Sequence, residues 1–125
     1  MHHEGPAIAT SIFEDVYVVA LRGEWDVSTR EALRAVLAST GTEGDVLVDL
    51  RHASFFDSTA LAELITLYKR LTAEDRKLET LVGESNMRRL LELTSLDTLL
   101  GISAERARYL IDRLPAPLWH PLFQV

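Results

Sequence analysis

The stretch Asp45-Val-Leu-Val-Asp-Leu50, followed by Arg51-His-Ala-Ser-Phe-Phe and then Asp57-Ser-Thr-Ala-Leu61, decides the fold. A short apolar run is what a central strand covered on both faces requires. Behind it, Leu61, Leu64, Ile65, Tyr68 and Leu71 recur at helical spacing. Asp57 and Ser58 stand where such a helix begins, and both residue types cap helix N-termini well. The stretch therefore predicts a strand over 45–50, a loop over 51–58 and a helix over 59–71.

Working outward, the N-terminal side predicts a hairpin. Ile8 to Phe13 and Val16 to Arg22 are rich in β-formers and are separated by Glu14-Asp15. Gly23-Glu-Trp-Asp26 predicts a loop. Ser28-Thr-Arg-Glu31 fits the capping box and opens a helix with Leu33, Val36 and Leu37 on one stripe. On the C-terminal side, Lys77 to Val82 predicts a fourth strand. A helix from Ser85 to Leu93 comes next, then a short edge strand over Leu99–Ile102. Ser103 caps a last helix running to Leu114. Strands alternating with helices imply parallel neighbours, and the opening hairpin makes the sheet mixed. The predicted fold class is α/β, a mixed sheet of about five strands with about four helices. Residues 1–114 form the domain and 115–125 a proline-rich tail, in which Trp119, Leu122 and Phe123 either pack on their own domain or reach another chain.

Composition narrows function. The chain has 125 residues, 47% apolar and 26% charged, and no cysteine. One domain with a real core fits that length, and cysteine chemistry of every kind is excluded. No apolar run suffices to span a bilayer, and the first residues do not resemble a secretory signal, so a cytoplasmic protein is expected. The net charge is −6. Residues 1–62 hold four arginines against ten acidic residues, which argues against nucleic-acid binding and suits a protein partner presenting basic groups.

The loop ahead of the second helix is where an open α/β sheet places a site. Asp57 and Ser58 read first as ordinary caps. A helix N-terminus also tolerates phosphate, so a phosphorylated Ser58 would sit in a favourable local field. His52, Asp57 and Ser58 crowd one loop without oxyanion donors and do not make a hydrolytic triad. His2-His3 lacks a third metal ligand, and no glycine-rich phosphate cradle occurs. No enzyme activity, metal or cofactor is expected.

Three blocks carry a family resemblance. Val46-Leu-Val-Asp-Leu-Arg-His-Ala-Ser-Phe-Phe-Asp-Ser-Thr-Ala-Leu-Ala-Glu-Leu64 resembles the central block of STAS domains of the bacterial anti-sigma factor antagonist type. Leu21-Arg-Gly-Glu-Trp-Asp26 is similar to the family's Gly-Glu-Leu-Asp. Gly83-Glu-Ser-Asn-Met-Arg-Arg-Leu-Leu-Glu-Leu-Thr-Ser-Leu96 resembles its late loop, basic helix and closing turn. The resemblance implies a non-enzymatic module that sequesters an anti-sigma factor, usually a serine kinase, and so releases a sigma factor. It implies phosphorylation of the serine after the motif's Asp, here Ser58, and reversal by a PP2C-type phosphatase. Asp26, Asp57 and Thr59 are then candidate partner contacts. Of the adjacent Phe55 and Phe56, one is core and the other touches the partner; Phe56 is taken as the contact. Ala60 stands where the family usually has Gly, Glu74-Asp-Arg-Lys77 replaces a Gly-Gly turn, Asn86 replaces a frequent Pro, and the tail has no counterpart. The alternative within the family is a structural STAS subunit of a stress-signalling or membrane-transport complex without phospho-switching.

Overall fold

The computed structural model describes residues 5–83, 86–95 and 100–123. His2, His3, Ser85 and Leu99 lie outside the described residues.

The chain opens with β1 (Ala7–Phe13) and β2 (Val16–Trp25), paired antiparallel. Glu14 and Asp15 both take positive φ, 48° and 67°, which is the backbone a two-residue hairpin needs to follow the strand twist. A single 3₁₀ turn (Val27–Thr29) leads into α1 (Arg30–Ala38). Next come β3 (Val46–Phe56), α2 (Ser58–Ala73), β4 (Leu78–Leu81), α3 (Asn86–Leu93), α4 (Ala104–Arg113) and β5 (His120–Pro121). The sheet order is β4-β3-β2-β1-β5. β2, β3 and β4 run parallel, and β1 lies antiparallel to both its neighbours. The expected mixed α/β sheet is therefore present.

Alternation along the strands sorts the core. Val46, Val48 and Leu50 of β3 join Val19, Leu21 and Trp25 of β2 against Leu33 and Leu37 of α1 and Leu61, Leu64, Leu67 and Leu71 of α2. Leu47, with Val16, Val18 and Leu81, faces the other way, onto Leu110 of α4. Buried Glu63 on α2 accepts from Arg30 (3.1 Å) and Arg34 (3.1 and 3.2 Å), which fixes α1 beside α2.

Four expectations about the elements need correction. β3 runs six residues past Leu50, so 51–56 is strand rather than loop. It holds there by two irregularities against β2, between the rungs Ala20/Arg22 and Gly23/Glu24, where β3 carries an extra residue each time. Bulges break the period-2 pattern and so hide the strand from sequence reading. β2 likewise continues through Trp25. Gly23 accommodates this with φ +87°; a Cβ there would meet the backbone of Gly5 and Pro6 at 3.1 Å. Third, the helical entry after β2 is capped by Asp26 and not by Ser28: Asp26 N–H donates to Thr29 Oγ1 at 2.9 Å in a capping box two residues early. Fourth, the edge strand over Leu99–Ile102 is absent among the described residues. Leu100 is helical, and Gly101 and Ile102 are irregular. The fifth strand comes from the tail, where His120 and Pro121 pair with Ile8 and Ala7. Trp119 is pinned beside it, edge-on to His52 at 5.4 Å between ring centroids and 5.3 Å from the Arg22 guanidinium. The tail thus packs on its own domain.

The end of the sheet is sealed by Trp25 and Phe56, which sit side by side on β2 and β3 and are 0% and 1% exposed. Phe56 is therefore core, and the expectation that it meets a partner is overturned. Phe55, 40% exposed, is the outward member of the pair. Truncating Phe56 to Ala should cost about 3–5 kcal/mol of unfolding free energy, and Phe55→Ala about 1 kcal/mol or less. Urea denaturation of both variants measures the contrast.

Candidate functional site

Parallel β2 and β3 finish together, and each strand hands over to the same chemistry. Trp25 is followed by Asp26, and Phe56 by Asp57; the two strand ends are rung partners, about one strand spacing (~4.8 Å) apart. Each Asp then caps a helical entry. Two backbone N-termini, with their unpaired N–H groups and partial positive charge, therefore open at one end of the sheet.

Asp57 holds an extended backbone and its Oδ1 accepts from Ala60 N at 3.0 Å. Its own amide donates to the Trp25 carbonyl at 3.2 Å, which carries the β2–β3 ladder one step beyond the last strand residue. Its carbonyl accepts from Leu61 N at 2.9 Å, the first bond of the helix. All of these bonds serve the junction, so Asp57 is first a cap.

Ser58 is the first residue of α2 and is exposed. Among the described residues no side-chain hydrogen bond holds its hydroxyl. Thr59 is half-buried, and Ala60 is fully buried against the core. Of the successive hydroxyls at this helix start, Ser58 presents the more open one.

Asp26 stands one strand over. Its Oδ1 accepts from Ser28 Oγ at 2.6 Å and from Ser28 N at 2.9 Å. The Ser28 hydroxyl is the main reason its carboxyl is held below the usual aspartate range, with the Ser28 amide next; partial burial works against them. Exposed Val27, Ser28 and Glu24 flank it. Ser28 is a site feature that sequence reading placed differently, as the cap itself. The signal was available in Asp26-Val-Ser-Thr29, which also has cap spacing.

The structure thus gathers Asp26, Asp57, Ser58 and Thr59 at one end of the sheet and adds Phe55 as the outward aromatic. It separates His52 from them: that imidazole is exposed and lies edge-on to Trp119 of the tail. Chemically, the arrangement offers a reachable hydroxyl in a field that favours an anion, bordered by carboxylates already bonded to their own backbones.

Comparison with known proteins agrees with this architecture. The family model described as "Mlab, STAS domain" matches residues 8–101. An anti-sigma-B factor antagonist from Staphylococcus epidermidis is 35% identical over 98 residues, covering 77% of this chain and 91% of that protein. An anti-sigma factor antagonist from Mycobacterium paratuberculosis superposes with TM-score 0.68 at 24% identity, over 90% of this chain and 98% of its own. SpoIIAA in its unphosphorylated form superposes with TM-score 0.61 at 19% identity, over 86% and 100%. At these identities the two solved structures speak to the fold. The matched span ends before α4 and the tail.

Two measurements check the capping roles. Asp57→Ala should lower stability by about 1 kcal/mol, read from thermal or urea unfolding. The Asp26 carboxyl should titrate below the ordinary aspartate range by NMR, and Ser28→Ala should move it upward. Because the folded value lies below the unfolded one, the stabilisation from Asp26 is complete above the unfolded pKa and is lost as pH falls through the folded one. An Asp26 titration unchanged by Ser28→Ala would contradict the assignment.

Proposed function

The chain belongs to the STAS domain family, and on that premise we propose that it is an anti-sigma factor antagonist switched by phosphorylation of Ser58. The observation that carries the reading is the exposed Ser58 hydroxyl at the first position of α2, directly behind the Asp57 cap.

The mechanism is competition at one surface. With Ser58 neutral, the sheet end bearing Ser58, Thr59, Asp26 and Phe55 docks on an anti-sigma factor, which releases its sigma factor. That partner, acting as a serine kinase, transfers the γ-phosphoryl group of ATP to Ser58 Oγ, and a PP2C-type phosphatase hydrolyses the ester. The phosphate brings about −1.5 to −2 charges. It does not unfold the domain, because the α2 N-terminus supplies N–H groups and positive potential beside it. Its cost falls on the complex: a doubly charged group must be desolvated against partner carboxylates or nucleotide phosphate. A switch of this kind works only through the difference in affinity between the two forms.

In this reading the protein is a regulatory binding module rather than an enzyme, and it works in the cytoplasm. None of the described helices is long and apolar enough to cross a membrane. The acidic front half of the chain, where the site lies, favours a partner with a basic docking face.

Titrating variants against the anti-sigma factor tests the proposal. Ser58→Ala should bind like the unmodified protein, and Ser58→Asp should bind at least about tenfold more weakly, the equivalent of about 1.4 kcal/mol. Equal affinities sink the switch, and would leave a structural STAS subunit as the better description. Mass spectrometry after incubation with the kinase and ATP should place one phosphate on Ser58; a phosphate on Thr59 would move the acceptor by one residue.

A further inference from the structure

Two flanks adjoin the Ser58 end, and they differ in charge. On the α1–α2 flank the charged groups are already engaged with one another. Arg30 and Arg34 both bind Glu63 at 3.1 Å, and Arg34 also reaches Glu31 at 3.7 Å. The other flank is the sheet face that carries Leu47 and α4. Arg22 and Glu24 of β2 point to that face, because Leu21 and Trp25 point into the core. Rung partners share a face, so Phe55 stands beside Glu24 and His52 beside Arg22. Glu24 and Phe55 are both exposed. Among the described residues, no side-chain hydrogen bond or ion pair engages the Glu24 carboxylate.

The arginines of this face are covered. Arg51 is bound to Asp49 at 2.9 Å. Arg22 lies 5.3 Å from the Trp119 ring, which is itself edge-on to exposed His52 at 5.4 Å, and Arg22 Nε is withdrawn from solvent. The tail thus lays an aromatic face on a cation. Glu24, two residues further along β2, is left as the exposed charge between Trp119 and the Ser58 end.

Reach is sufficient. From Arg22 to Asp26 the chain advances four residues, about 13 Å. An ordinary protein interface buries about 800 Å² of each partner, a patch roughly 16 Å in radius. Ser58, Thr59, Asp26 and Phe55 fill only the middle of such a patch. Charge selects the side on which it continues. The α1–α2 flank would meet a basic partner with two arginines, whereas this face offers an unengaged carboxylate and two rings, Phe55 and Trp119, of the kind that enriches interface cores.

We propose that the anti-sigma factor's contact continues over this face, from Ser58 across Phe55 and Glu24 to Trp119, and that the partner seats a lysine or arginine on Glu24 beside the two rings. Such a cation gains a carboxylate and an aromatic face together. Trp119 belongs to the tail, beyond the residues that the family model matches. It is therefore a specificity determinant, by which the partner tells this chain from antagonists that lack the tail. The inference rests on the reading of the chain as an anti-sigma factor antagonist, and not on phosphorylation of Ser58.

Titrating the anti-sigma factor against variants tests it. Glu24→Arg reverses an exposed charge that holds nothing in the fold. It should weaken binding at least about tenfold, and the loss should shrink as salt rises. The same reversal at exposed Glu31, on the α1–α2 flank, should leave affinity within about twofold of wild type, which separates position from net charge. Trp119→Ala should cost about tenfold as well. Because that change also loosens the tail, an unmutated reading accompanies it. With fluorotryptophan in this chain, the fluorine resonance of Trp119 should move on adding unlabelled partner, and move further than that of Trp25, which is 0% exposed. A Glu24→Arg variant that binds like wild type, or a Trp119 resonance no more affected than Trp25, overturns the inference. Ser58→Asp measured in parallel separates the two claims. If it alone weakens binding, the switch stands and this contact falls. If only Glu24→Arg does, the contact stands and the switch falls. A wild-type chain that does not bind the anti-sigma factor removes both.

Discussion

The hydrogen bond from the Asp57 amide to the Trp25 carbonyl is the junction on which the site depends. It extends a parallel ladder past its last paired residues, and it delivers both caps to the same place. Without it, β3 would have no reason to end level with β2, and the helix starts would be independent. With it, Trp25 and Phe56 close the core beneath, and Asp26 and Asp57 turn outward together above. The buried pair supplies the stability, and the caps convert it into position.

The two aspartates have little freedom left for a partner. Asp57 is bonded to the first turn of α2, and Asp26 to Ser28. Their charges offset the positive ends of the helical entries, so the local field at Ser58 is a balance between N–H groups and carboxylates. A serine at the first helical position contributes little to capping, which Asp57 already provides. Its presence there is unexplained by stability, which supports the signalling role proposed for it.

Much of this was legible in the sequence, for local reasons. The Asp57-Ser58 start of α2 and the Ser103 cap of α4 come from capping chemistry, which is set within a single turn. The hairpin and the apolar run of β3 come from alternation. The features that escaped were set at longer range. The extension of β3 through Arg51–Phe56 depends on bulges that only the pairing with β2 creates. Two extra residues upstream of Phe55 and Phe56 cancel: the first turns Ala53 to the core, and the second restores the alternation, so Phe56 faces the same side as Leu50. Asp26 and Ser28 both head plausible capping boxes, and the 3₁₀ turn over Val27–Thr29, which takes in Ser28 itself, decides in favour of Asp26. His120-Pro121 has no strand propensity to speak of. It becomes a strand because Trp119 is seated over Arg22 and His52, residues that are remote in sequence.

That last strand joins residues 120–121 to residues 7–8, nearly the widest separation the chain allows. Such a contact is slow to find, because a long loop must close before anything rewards it. During synthesis the first hairpin emerges early, and the outer side of Ala7 and Ile8 stays bare until residue 121 has cleared the ribosome. For that interval a neutral, proline-free ribbon is offered to every other nascent copy on the same messenger. The late arrival of the tail therefore makes co-translational crowding, rather than the finished protein, the moment of greatest exposure to misassembly.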